Sequence, residues 1–265
     1  MTLLVLWLTG GTTAAQQKVD LELVLLADAS WSIDNAENRL QRKGYAAGIG
    51  HPDVLDTIAG GFHRRIAVTY IEWGDENWQN IVVPWTIIDG PKSAASFSEK
   101  LLSAPRLADG PNAIGSAIAA GHAMIDRNSF EGTRKVIDFS GDSASNWSGS
   151  PVEDAREAAF AAGIVINGLA ILCQDCNGRP VDYDLEKAFE TRIIGGPGSF
   201  VITADGPTKF SGAVLRKLLL EIAAAPESYE MRALKNVPTA SMASCASGST
   251  AALPCQPWIM SSQGW

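Results

Sequence analysis

Two kinds of segment alternate along the chain. Short, uninterrupted apolar runs, such as LVLLA at 23–27 and VIDFS at 136–140, have the length of strands buried on both faces of a parallel sheet. Residues 65–74, 79–88, 164–172 and 199–204 read as further strands, and 65–74 alternates β-branched and aromatic positions. Asn77 falls in the turn between 65–74 and 79–88, so these two form a hairpin, and Pro84 places the second strand at a sheet edge. Helical patterns cover 35–49, 94–103, 114–127, 153–162, 183–193 and 210–224, with Gly163 in the C′ position of the fourth. Strands alternating with helices predict an α/β fold: a doubly wound, mostly parallel sheet with one antiparallel edge strand and helices on both faces.

The pattern changes character at 21–34, LELVLLADASWSID. The apolar run ends in Asp28, and Ser30 and Ser32 follow at every second position. Asp34 with Glu37 then forms a capping box for the next helix. Asp28, Ser30 and Ser32 therefore leave the carboxyl end of a strand, where open α/β sheets place their ligands. A carboxylate and two hydroxyls make an oxygen-only set suited to a hard divalent cation: Mg2+, or Mn2+ or Ca2+.

Charge excludes one class of partner. The net charge is −8 with no basic cluster, which argues against nucleic acid. The three histidines, His51, His63 and His122, lack zinc spacing. Residues 1–15 have an apolar core and end in small residues, as in a secretory signal, although a basic n-region is missing. No other stretch is long and apolar enough for a membrane span. Residues 16–230 form the expected domain, and 231–265 are a Ser/Ala/Pro-rich tail. Of the cysteine pairs Cys173/Cys176 and Cys245/Cys255, the first reads as a local disulfide in preference to a redox motif, and the second as a loop in the tail.

Asp28-Ala29-Ser30-Trp31-Ser32 resembles the D-x-S-x-S of the metal-ion-dependent adhesion site (MIDAS) in von Willebrand factor A (vWA) domains. The blocks LQRKGYAAGI, AVTYIEWG, VVPWTII, AIGSAI, VIDFSGD, GIVINGLAI and IIGGPGSFV, spread over 19–224, resemble a family of secreted bacterial vWA-like proteins of unknown function. The resemblance implies a metal held directly by Ser30, Ser32 and a residue of a second loop, with Asp28 and Asp142 acting largely through water. Asn112 stands where that second loop carries a threonine, so it is either a neutral amide ligand or a plain helix cap. An ion so held can take a further acidic ligand from a protein partner.

Trp31, Trp73, Trp78 and Trp147 are candidate exposed anchors for such a partner, with core packing as the competing reading. The expected function is adhesion-type, divalent-metal-dependent binding outside the cytoplasm, secreted or periplasmic. The alternatives are a metal-dependent hydrolase, for which no spare histidine or carboxylate is evident near the ion, and a metal-free structural module.

Overall fold

The computed structural model describes residues 16–172 and 182–223; both cysteine pairs, the signal-like segment and the tail lie outside these residues. Six strands form one sheet: β1 (Gln17–Asp28), β2 (Ile66–Trp73), β3 (Gln79–Ile88), β4 (Phe130–Gly141), β5 (Val165–Leu172) and β6 (Val201–Asp205). Their order is β3-β2-β1-β4-β5-β6, parallel throughout except for β3, which pairs antiparallel with β2 at the edge. Pro84 sits on that edge strand, where a missing N–H costs no ladder bond to a second neighbour.

Strand β1 is the spine. Leu21, Leu23, Leu25 and Ala27 point into one core and Val24 and Leu26 into the other, so the run at 23–27 is apolar at every position. The first core is closed by α1 (Asn35–Ile49), α2 (Pro52–Ala59), α3 (Pro91–Ser103) and α7 (Pro207–Ile222). The second is closed by α4 (Ile114–Asp126), α5 (Val152–Ala161) and α6 (Leu185–Arg192). The chain leaves β1 toward β2 on one side and later returns to β4 on the other. The carboxyl ends of β1 and β4 thus flank the topological switch point.

Helix α2 has no strong signal in the sequence. It is about two turns long and buries Val54 and Ile58, with Pro52 at its first position and His51 as a weak cap whose Nδ1 accepts from Asp53 N–H at 3.3 Å. For Trp73 the core-packing reading holds. As the last residue of β2 it faces the second core, fully buried and stacked on Phe139 with centroids 5.0 Å apart. Among the described residues no helix is long and apolar enough to cross a membrane.

Candidate metal centre

Asp28 ends β1 fully buried, and its Oδ1 accepts the Ser30 N–H at 2.8 Å, folding the loop back over the strand end. That turn brings the Ser30 and Ser32 hydroxyls within 3.2 Å of each other. Ser32 then donates to Asp142 Oδ1 at 2.9 Å, and Asp142 is the residue that follows β4. Strand pairing of β1 with β4 is what brings these two distant loops together. Asp34 accepts from Ala36 and Glu37 N–H at 2.7 and 2.9 Å while Glu37 accepts from Asp34 N–H at 2.7 Å, so the capping box holds the far end of the loop.

Two further groups brace the loop from behind, and neither was visible in the sequence. Gln41 donates to the Asp28 carbonyl at 2.9 Å. Arg106 Nη2 donates to the Ala29 and Ser30 carbonyls at 2.8 and 3.4 Å. Gln41 lies on the next helix and Arg106 in a connection 77 positions beyond Ala29, and the acceptors are main-chain oxygens that no motif records.

The second loop approaches through close backbone packing. Gly115 opens α4 so near the next loop that a Cβ there would lie 2.0 Å from the Ser150 carbonyl oxygen. Gly110, at φ +105°, turns its carbonyl to accept the Trp31 N–H at 2.9 Å, and the Asn112 carbonyl accepts from Trp147 N–H at 2.7 Å. Asn112 is not the helix cap. The N-cap of α4 is Ala113, which makes no side-chain bond. The Asn112 side chain makes no hydrogen bond among the described residues and lines the same cleft as Ser32 and Asp142. This cleft, about 390 Å³, is walled by Trp31, Pro111 and Trp147; the two tryptophans are 72% and 74% exposed.

The electrostatics of the cleft are unfavourable to the protein alone. Burial first, and the charge of Asp142 second, push Asp28 up to about 8 from its ordinary 3.8. Burial also raises Asp142, against a lowering by the Ser32 hydroxyl. Glu37 is raised by burial too, with Asp142 among the lesser causes, so a carboxyl group beyond the expected set lies within electrostatic reach. Asp28 Oδ2 is buried without a hydrogen-bond partner among the described residues, and a Cβ on Gly141 would stand 3.1 Å from it.

A raised carboxyl gives stability that is complete below its unfolded value and is lost as pH rises through the folded value. For Asp28 that window runs from 3.8 to about 8. In EDTA at about pH 8, Asp28→Asn is therefore expected to unfold no lower than the parent, a gap that closes at about pH 4. A lower midpoint for the variant at the higher pH, read by thermal unfolding, contradicts the assignment.

No cluster of three or more His, Cys, Asp or Glu side chains that could hold a metal occurs among the described residues. What the fold brings together at the β1/β4 switch point is a mixed set of oxygens: two carboxyl groups with hydroxyl and amide groups.

No curated protein matches the chain. Solved structures similar to it include the pilus adhesin SpaC from Lactobacillus rhamnosus GG (TM-score 0.56, 14% identity, covering 78% of this chain and 31% of that one). Proximal thread matrix protein 1 from the mussel byssus, with a zinc-occupied MIDAS motif, gives 0.54 at 17% identity over 78% and 48% of the two chains. The von Willebrand factor type A protein from Catenulispora acidiphila gives 0.54 at 16% identity over 77% and 43%. The chain thus spans less than two thirds of each of these proteins, and at such identities the likeness is one of fold. Residues 18–226 match the family described as protein of unknown function (DUF1194). With a six-stranded sheet wound as in vWA domains and a family match over most of its length, the chain belongs to the DUF1194 family and has a vWA-type α/β fold.

Proposed function

We propose that the cleft at the β1/β4 switch point is a divalent-cation site of the adhesion type, which binds an acidic group of a protein partner outside the cytoplasm. The observation that carries this reading is the buried, partnerless Oδ2 of Asp28 beside a hydroxyl-linked Asp142. An orphaned buried carboxylate oxygen costs a protein stability, and a cation is the group that offsets it.

The residues fit such an ion. Ser30 and Ser32 offer hydroxyl oxygens, Asn112 offers an uncommitted amide oxygen, and Asp28 and Asp142 supply the negative charge. All-oxygen donors favour Mg2+, Mn2+ or Ca2+ over softer metals. Bound there, the ion supplies a positive charge with a coordination position open to a partner's carboxylate. The protein's own work is positional. Gln41 and Arg106 hold the loop carbonyls, and the strand ends exclude water from Asp28. The zinc-occupied MIDAS of the mussel protein and the adhesin role of SpaC support metal-dependent adhesion as the general class. A signal at 1–15, a binding domain at 16–230 and a tail at 231–265 complete this reading.

Thermal unfolding in EDTA and then in Mg2+, Mn2+ or Ca2+ tests it. Saturation ~100-fold above Kd adds about 2.7 kcal/mol, roughly 5–10 °C for a domain of this size. The shift is expected to vanish in Asp28→Ala. An unchanged midpoint with every ion rejects the reading.

A further inference from the structure

The metal cleft does not end at Trp31. That ring also walls a second depression of about 480 Å³, which contains Arg106, Leu107 and Asn35 together with the carboxyl groups of Asp34 and Asp109. Arg106 and Asn35 in turn line a third of about 470 Å³, bounded by Arg39, Arg42 and Lys43 on α1. Three depressions therefore share walls and form one track across the surface. Every charged side chain lining the last of them is cationic, in a chain whose net charge is −8.

The cations there differ in availability. Arg42 is buried and neutralised by Glu72, and it donates to the Ala104 and Pro105 carbonyls. Arg106 is committed to the metal loop and to Asn35 Oδ1 at 3.3 Å. These bonds make the groove floor rigid before any ligand arrives, which lowers the ordering cost of binding. Arg39 and Lys43 are exposed and make no ion pair or hydrogen bond among the described residues. Asp34, held in the capping box, lines the neighbouring depression and not this groove. The Glu37 N–H first, and the charge of Arg39 among the lesser causes, hold its carboxyl below the usual range; Glu37 lines neither depression.

We propose that Arg39 and Lys43 form a second anion subsite, so that the partner is an extended acidic peptide segment whose first carboxylate meets the metal centre and whose next acidic group lies in this groove. The first half rests on the metal reading above; the groove stands on its own charge and shape. Between the two ends the track presents Trp31 and Leu107 beside Asp34 and Asp109, a stretch that suits an apolar and not an acidic position of the peptide, and Leu102 edges the groove itself. Both leucines are about half exposed. Leucine faces suit apolar side chains spaced between acids. A peptide can place apolar side chains between its acids, which a uniformly charged polysaccharide cannot.

A short labelled peptide of repeated Glu-Pro-Leu triplets, titrated by fluorescence anisotropy with and without Mg2+, tests the proposal on the full chain. Polygalacturonate serves as the competing polyanion. The double variant Arg39→Gln/Lys43→Gln changes only exposed side chains, and its unfolding midpoint with and without Mg2+ serves as the control for fold and ion site. It is expected to bind the peptide about tenfold more weakly, with a reduced salt dependence. Unchanged peptide affinity in a variant that keeps the Mg2+ shift overturns the groove. Polygalacturonate binding that is tighter than the peptide's and lost in the double variant overturns the choice of peptide. Peptide binding that depends on Arg39 and Lys43 but not on any ion upholds the groove and separates it from the metal reading.

Discussion

Lys217→Met is expected to lower stability by about 3–5 kcal/mol. Lys217 lies on α7 with its Nζ 2.8 Å from Asp138 Oδ1 and 2.5 Å from Glu221 Oε1, and all three side chains are buried. Tyr45 donates to the same Asp138 oxygen at 3.1 Å, and Asn167 donates to Glu221 at 3.1 Å. Asp138 Oδ2 and Glu221 Oε2 have no partner among the described residues, so two carboxyl groups depend on one ammonium. Methionine keeps the apolar stem and removes that charge. Chemical denaturation measures the loss, and a change below about 1 kcal/mol would show that the network carries no weight.

The pH dependence follows from Glu221. Burial first, and the charge of Asp138 second, push it up to about 8 from 4.5, with Lys217 opposing. The proton it retains stabilises the fold fully below 4.5 and progressively less as pH rises to about 8. Destabilisation by Lys217→Met is accordingly expected to be larger at about pH 8 than at about pH 5.

Arg42→Met is the second large effect, also about 3–5 kcal/mol. The guanidinium grips Glu72 through both oxygens, at 2.7 and 2.8 Å, and the variant leaves that buried carboxylate with Asn38 alone, at 2.7 Å. Arg42→Lys is expected to recover only part of the loss, because an ammonium cannot make the planar fork. Adding Glu72→Met to Arg42→Met is expected to restore most of the stability by removing the stranded charge. It does not restore the bonds from Arg42 to the Ala104 and Pro105 carbonyls, which hold the segment carrying Arg106. The ion-dependent midpoint shift of the double variant is therefore expected to stay below that of the parent, although its fold is intact. Equal shifts would show that Arg106 keeps its place without this anchor.

These two buried charge networks are not legible in the sequence. The strand at 136–140 is legible as buried, yet nothing local says that Asp138 meets a lysine on the last helix. Glu72 sits in a strand whose alternation is clear, while its arginine belongs to α1. A charge in a strand reads as a solvent-facing residue until a partner from elsewhere neutralises it. Trp73 stays open in the sequence for a related reason: loop-flanking tryptophans look alike there, and only the stacking on Phe139 separates Trp73 from the exposed Trp31 and Trp147.

By itself the sequence determined what short-range chemistry dictates. The apolar period placed β1 and β4, Pro84 placed the edge strand, and Asp34 with Glu37 fixed where α1 begins. The two-residue spacing of Asp28, Ser30 and Ser32 marked the loop. Each of these depends on neighbours a few residues away, where periodicity and capping act. Only the tertiary structure decided that Asp28 keeps a carboxylate oxygen without a partner and that Asn112 leaves the capping role to Ala113. It alone placed Arg106 behind the loop and gathered Arg39 and Lys43 into a groove continuous with the cleft. Those outcomes depend on which strands pair and which loops then meet, and burial gives them their electrostatic weight only after the chain has folded.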